Sequence, residues 1–212
     1  MITLYYGSGS PYSWRVQLVL EEKGIPYEAA LLSFAKGEVK SPAHLARHPH
    51  GKVPAITDGA LTLYESSAIV EYLEERHPTP PLMPVDVALR ARVRVEEIEA
   101  TLYFGEKFGA VARQVFFTPA DERDERAIAE ARRGLRAELE RLEVRAVTRG
   151  DAWIVGDALT RADLAWLPFV EIAARGGVEL DAKAMPWLHA WRARLRARPS
   201  YARSYPPHWK QP

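Results

Sequence analysis

The 212-residue chain contains no cysteine. That absence excludes disulfides, thiolate metal ligands and a sulfur nucleophile of the protein's own, so redox chemistry would need a borrowed thiol. No stretch approaches the ~20 apolar residues of a membrane span, and Met1–Tyr5 lacks a basic region followed by an apolar run. A cytoplasmic protein with no membrane partner is the expectation. An excess of one charge is also missing: 29 Lys and Arg face 28 Asp and Glu, for a net charge of +1, which gives no reason to expect a nucleic-acid partner. Internal repeats and low-complexity tracts are absent, and no metal site is expected. What is present is enough apolar side chain, 47% of residues, to fill one large or two small cores, with a small molecule as the expected partner.

Strands alternate with helices in the first part. Ile2–Tyr6 reads as a strand that runs into the turn residues Gly7-Ser8-Gly9-Ser10-Pro11. From Trp14 the period lengthens: Val16, Val19 and Leu20 share a helical face, Gly24 supplies a stop, and Pro26 opens the extended run Tyr27 to Leu32. A loop with a short helix fits Ser33 to Arg47. Val53 to Thr57 and Leu61 to Leu63 then flank Asp58-Gly59, a hairpin signal. The following helix carries Ile69, Val70 and Leu73 inward and ends near Arg76, because His77-Pro78-Thr79-Pro80-Pro81 has the composition of a stiff linker. The expected division is a first domain over residues 1–77, a linker over 78–87 and a helical domain over 88–212. In the helical part, Ala91, Val95, Ile98 and Leu102 recur at three- and four-residue spacing. Thr118-Pro119-Ala120-Asp121 predicts a helix start before the stripe Ile128, Ala131, Leu135, Leu139 and Leu142. Thr160-Arg161-Ala162-Asp163 predicts another, with the carboxylate reaching back to Thr160. A last helix covers Pro186 to Arg198, and the tail from Ser200 is rich in aromatics and proline without a readable role.

Three segments carry chemistry. Ser10-Pro11-Tyr12 sits where a strand hands over to a helix whose free N–H groups favour an anion. Ser10 reads either as a simple helix cap or as a hydroxyl that donates to a bound thiolate and lowers that thiol's pKa. With no histidine in the local segment to act as its base, it is not a good nucleophile. Gly51-Lys52-Val53-Pro54 is either an ordinary strand entry or a cis turn that aims the Val53 backbone at a ligand. Glu65-Ser66, at a helix start, is either a capping pair or a site for an α-amino acid end, Glu65 meeting the ammonium and Ser66 with the free N–H groups meeting the carboxylate.

Taken in order, Ser10-Pro11-Tyr12-Ser13-Trp14-Arg15-Val16, His48-Pro49-His50-Gly51-Lys52-Val53-Pro54, Tyr64-Glu65-Ser66-Ser67-Ala68-Ile69 and Thr160-Arg161-Ala162-Asp163 resemble motifs of the cytosolic glutathione S-transferase superfamily. The similarity is to its serine-type bacterial members, with theta-, zeta- and tau-like features, and it spans nearly the whole chain. It implies an α/β N-terminal thioredoxin-like domain plus an all-α C-terminal domain, glutathione as co-substrate without a metal, and a homodimer. It further implies that Ser10 stabilises the glutathione thiolate, that Val53 pairs with the cysteinyl backbone before a cis Pro54, and that Glu65 and Ser66 hold the γ-glutamyl end. Lys40 and Lys52 are the candidates for the glycine carboxylate, and Thr160 and Asp163 serve folding. Val39 stands where some relatives carry histidine, and His48 replaces the usual asparagine. Ser10 in place of the cysteine of thiol-transfer members rules out a mixed disulfide with the protein and favours conjugation. The electrophile pocket is expected between the domains, with Tyr12, Tyr103, Phe104, Phe108, Arg113 and Trp166 as candidate lining residues. Tyr5 and Tyr6, among strand residues, are expected to pack rather than react. The expected activity is attack of glutathione on a small electrophile. A glutathione-dependent isomerase resembling maleylacetoacetate isomerase, a dehalogenase, or a non-catalytic interaction module are the alternatives.

Overall fold

Buried Ile2 and Leu4 alternate with half-buried Thr3 and Tyr5, and this period of two makes β1 (Ile2–Tyr6) an inner strand. Residues 1–209 are described by the computed structural model, which divides by contact into Met1–Leu82 together with the residues from Arg198 onward, and Met83–Ala197. In the first unit β1 leads into α1 (Pro11–Glu22) and then β2 (Tyr27–Leu31), which lies parallel to β1 as a helical crossover permits. Pro11 occupies the first turn of α1, where its missing N–H costs nothing. The helix ends in a Schellman motif: the Gly24 N–H donates to Glu21 O at 3.2 Å and the Ile25 N–H to Leu20 O at 2.9 Å, with Gly24 at φ 62°. After a short helix α2 (Pro42–Leu45), β3 (Ala55–Asp58) and β4 (Leu61–Tyr64) form the hairpin, and α3 (Ser66–Arg76) closes the unit. The sheet order is β2-β1-β3-β4, with β3 antiparallel to both neighbours.

The first unit extends past the expected domain limit at residue 77, and the reason is electrostatic. Lys23, whose ammonium is wholly buried, pairs with Glu74 at 2.7 Å and donates to His77 O and Pro80 O at 2.7 and 2.8 Å. Glu74 also accepts from the Leu82 N–H at 3.1 Å, so the proline-rich segment is tied down instead of free. The other end of the chain returns to the same unit, although residues to 212 were expected in the helical domain. Arg198 meets Glu22 through two bonds of 2.6 and 2.7 Å, Ser200 joins the same carboxylate, and the Trp14 indole donates to Ser204 at 2.9 Å, docking α9 (Pro199–Ser204) on α1.

The second unit is helical throughout its described elements. Helix α4 (Val87–Ile98) passes through a π-helical segment, Glu99–Phe104, into α5 (Gly105–Phe116), and α6 (Glu125–Arg149), α7 (Arg161–Arg175) and α8 (Pro186–Arg196) follow. The predicted start at Thr118 is displaced: the Thr118 hydroxyl donates back to Arg113 O at 3.0 Å and closes α5, while Asp124 caps α6 by accepting from the Ala127 N–H at 2.9 Å. Ala120–Glu122 forms only a 3-10 turn. Helix α7 is the axis of this unit, buried from Arg161 to Ala173. Its capping box forms at Thr160 and Asp163, and Asp163, completely buried, also accepts from the Ile154 N–H at 2.9 Å and the Trp191 indole at 2.8 Å.

Asp163→Ala leaves the Ile154 and Thr160 N–H groups and the Trp191 indole without their acceptor. We expect a loss of about 3 kcal/mol, read as an earlier urea midpoint of tryptophan fluorescence; a loss below ~1 kcal/mol would contradict the assigned role. Glu171 gives a pH-dependent counterpart. Burial favours its neutral form, but Arg196 and Arg192 outweigh burial and hold the carboxyl below its usual range. A carboxyl held low in the folded state contributes fully above its unfolded pKa and loses that contribution as pH falls through the folded one. Glu171→Gln should therefore reduce the steepness with which stability falls below about pH 4.5, and identical acid-unfolding curves for the two proteins would refute this.

Candidate active site

The strand register brings the three chemistry-bearing segments to one end of the sheet. Tyr5 of β1, Ala55 of β3 and Tyr64 of β4 form one row, with Ala55 paired to both others. Because β3 runs antiparallel to β1 and β4, that row is the exit of β1, the entrance of β3 and the exit of β4. The Gly7–Ser10 loop, the Val53–Pro54 turn and Glu65-Ser66 are thus neighbours by topology. Val53–Pro54 is a cis peptide bond.

Ser10 caps α1. Its Oγ accepts from the Ser13 N–H at 3.3 Å, and the Ser13 hydroxyl in turn accepts from the Gly7 N–H at 3.3 Å. Accepting uses an oxygen lone pair and leaves the hydroxyl proton to donate elsewhere. Cap and anion donor, alternatives in the sequence, are therefore compatible in one residue. Tyr12, two residues on, is half-buried, and burial pushes its hydroxyl pKa up, with Arg15 opposing and the negative Glu65 adding to the rise. Arg15 had no role in the sequence reading; it is buried and donates from Nη1 to Ser67 Oγ at 3.2 Å, joining α1 to the first turn of α3.

Glu65 precedes α3 with φ 68° and ψ 111°, the one non-glycine residue at positive φ among those described. Its side chain is exposed and Ser66 is buried. Next to it, the buried His48 ring lies 4.8 Å from Tyr64, and burial pushes His48 below the usual histidine range against the opposing pull of Glu65, with His44, His50 and Lys52 adding to the fall. Lys40 donates to His50 O at 2.9 Å, and its Nζ would stand 2.9 Å from a Cβ at Gly51, so this lysine lies against the loop before Val53. Lys52 is exposed, while its carbonyl meets His44 Nε2 at 2.7 Å. Tyr5 packs under the Arg47 guanidinium at 4.1 Å, a packing role.

The candidate electrophile residues divide. Phe104, Phe108 and Trp166 are core residues of the second unit: Phe104 stacks edge-on with Trp166 at 5.4 Å and Phe108 with Phe169 at 5.9 Å. A ring enclosed on all sides has no face to offer a substrate, so these three are withdrawn. Tyr103, on the π-helical segment, and Arg113, on α5, are exposed.

The chain matches the family model "Glutathione S-transferase, N-terminal domain" over residues 4–81 and "Glutathione S-transferase, C-terminal domain" over residues 107–199. It is 34% identical over 211 residues to glutathione S-transferase A of Pleuronectes platessa, covering 98% of this chain and 92% of that protein. The chain belongs to the glutathione S-transferase family. A solved family structure, the theta class enzyme of Xanthomonas axonopodis pv. citri with glutathione bound, superposes with a TM-score of 0.87 at 32% identity over 96% of each chain. A shorter likeness, 44% over 93 residues, relates 42% of this glutathione S-transferase family member to 43% of the maleylacetoacetate isomerase of Pseudomonas aeruginosa.

The backbone at Glu65 yields a test that does not depend on ligand. Glu65→Gly and Glu65→Ala both remove the carboxylate, but only glycine accepts φ 68° without steric cost. The glycine protein should be more stable than the alanine protein by about 1 kcal/mol in denaturant titration, and equal stability would show that the conformation is not strained.

Proposed function

We propose that the protein is a cytoplasmic, homodimeric, serine-type glutathione transferase in which Ser10 donates a hydrogen bond to the glutathione thiolate. The observation that carries this reading is the single row Tyr5–Ala55–Tyr64, which gathers a hydroxyl donor, a turn backbone and a carboxylate–hydroxyl pair around one end of the sheet. The γ-glutamyl ammonium meets Glu65, and its carboxylate meets Ser66 and the first N–H groups of α3. The Val53 backbone pairs with the cysteinyl unit as an added strand does. Lys40 and Lys52 answer the glycine carboxylate.

The chemistry follows from the thiol. A free thiol with pKa ~8.5 is only about 3% ionised at neutral pH. Lowering that pKa by about two, worth ~2.7 kcal/mol, makes most of the bound sulfur thiolate. The Ser10 hydroxyl and the positive end of α1 both act in that direction. The thiolate then forms a carbon–sulfur bond with a small electrophile, and the leaving group departs with its electron pair or, in an addition, the adjacent carbon takes a proton from solvent. With no cysteine in the chain, the thioether leaves as product instead of passing through a protein disulfide. Of the residues considered for the electrophile, Tyr12, Tyr103 and Arg113 have side-chain surface to offer it. Detoxification of such electrophiles is the corresponding role.

One observation favours a second reading. The isomerase likeness, together with Ser13-Trp14-Arg15-Val16, supports addition of sulfur to a conjugated double bond followed by its expulsion. Recovery of glutathione unchanged with an isomerised product would select it over conjugation.

Ser10→Ala should keep glutathione binding within about threefold and lower kcat at least tenfold, each tenfold being ~1.4 kcal/mol of transition-state stabilisation. Calorimetry and the ultraviolet absorbance of bound thiolate check the two halves separately. Unchanged turnover with chemistry shown to be limiting would remove Ser10 from the mechanism, and absence of glutathione binding by the folded wild-type protein would return the interaction-module reading.

A further inference from the structure

The C-terminal segment reaches the Gly7–Ser10 loop. His208 Nδ1 lies 2.7 Å from Ser8 Oγ. A Cβ at Gly9 would stand 3.2 Å from Trp209 Cζ2 and 3.3 Å from His208 Cε1, so both rings are in van der Waals reach of the Gly9 backbone. The Trp209 ring also meets Trp14 edge-on at 5.6 Å and Tyr205 at 5.8 Å. The two ends of the loop are held elsewhere: a Cβ at Gly7 would collide with the Phe34 ring and stand 3.2 Å from Val53 Cγ2, while Ser10 N donates to Gly7 O at 3.1 Å and Ser10 O accepts from the Trp14 N–H at 2.9 Å. Gly9, at φ 81°, adds a peptide with little intrinsic stiffness.

The hydrogen-bonded anchor of this segment is separate from the His208 contact with the loop, whereas Trp209 touches both the loop and Trp14 of α1. Arg198 and Ser200 bind Glu22, and Ser204 binds the Trp14 indole, all on α1 and all before residue 205. Beyond them Tyr205 to Trp209 continue over Ser8 and Gly9. The α9 bonds do not involve the His208 imidazole, so its removal leaves them in place.

We propose that His208 and Trp209 are positioning residues for Ser10, holding Ser8 and Gly9 of its loop so that the serine hydroxyl stands where the bound sulfur needs it. The proposal rests on the reading of Ser10 as the thiolate donor. Without these contacts Ser8 and Gly9, which lead directly into Ser10, would have more room to shift, and displacements of about 1 Å at a reacting group can cost on the order of a hundredfold in rate. The Ser8–His208 bond puts an acceptor or donor at the imidazole Nδ1, according to tautomer, and an asparagine side chain offers a polar atom at a similar reach.

The test uses the full-length protein with glutathione alone as probe. Wild type, His208→Ala, His208→Asn, Trp209→Ala and Ser10→Ala are compared by the thiolate absorbance of bound glutathione at neutral pH, by calorimetric affinity and by thermal midpoint. We expect His208→Ala to reduce the bound-thiolate fraction about fivefold to tenfold, with affinity within about threefold and the midpoint little changed, His208→Asn to recover most of the thiolate, and Trp209→Ala to reduce the thiolate with a lower midpoint, since its ring also packs on Trp14 and Tyr205. If Ser10→Ala lowers the thiolate and neither tail variant does, the positioning role is wrong. Loss of thiolate in His208→Ala with none recovered in His208→Asn would overturn the hydrogen-bonded part, and a matching fall in the His208→Ala thermal midpoint would make the effect structural instead of positional. If Ser10→Ala itself leaves the thiolate unchanged, the reading of Ser10 fails and the proposal falls with it.

Discussion

The pairing of β3 between β1 and β4 is the constraint on which the candidate site depends. Ala55 is bonded on one side to the row of Tyr5 and on the other to that of Tyr64. A slip of one residue on either side would turn Ile56 away from the core, where it is completely buried, and would carry Val53–Pro54 away from Ser10 and Glu65. The same buried side chains that fix the register therefore fix the site, so stability and function share a cause in this unit.

Charge works in the interior as well as on the surface. Lys23 with Glu74, Arg161 with Glu97, and Glu171 with Arg192 and Arg196 are ion pairs with at least one partner deeply buried. Such pairs add little net stability compared with apolar substitutes, because desolvation offsets most of the attraction. Their directional bonds decide which segments meet. Lys23 holds the end of α3 and the proline segment, and Glu22 holds the returning C-terminal segment through Arg198 and Ser200. In both cases a residue near the end of α1 gathers chain from elsewhere, which makes α1 the organising helix of the first unit as well as the one that presents Ser10.

Local signals were legible where a local physical rule applied. Pro11 after Ser10 marked the start of α1, Gly24 its end, Asp58-Gly59 the hairpin, and Thr160 with Asp163 the cap of α7. Thr118-Pro119 misled because the same residue types that open a helix also close one; the Thr118 hydroxyl turns back to Arg113 O, a choice between two nearby carbonyl and N–H sets that spacing does not encode. Phe104, Phe108 and Trp166 misled in another way. Aromatics at helical spacing identify an apolar face but not whether that face meets a ligand or the neighbouring helix; here Phe104 and Phe108 meet Phe169 of α7, and Trp166, on α7 itself, meets Phe104.

Residue chemistry alone settled that any sulfur nucleophile is borrowed, since the chain has none, and that Ser10, Val53-Pro54 and Glu65-Ser66 each occupy a strand or helix end. These conclusions need no knowledge of distant contacts. Tertiary structure alone brought Arg15 to Ser67, His48 to Tyr64, and His208 to Ser8. The last pair is separated by 200 positions, and nothing in either neighbourhood marks the other. Periodicity and capping are short-range physics, readable over a turn or two of chain. Which buried groups meet across the fold is decided by packing the whole core at once.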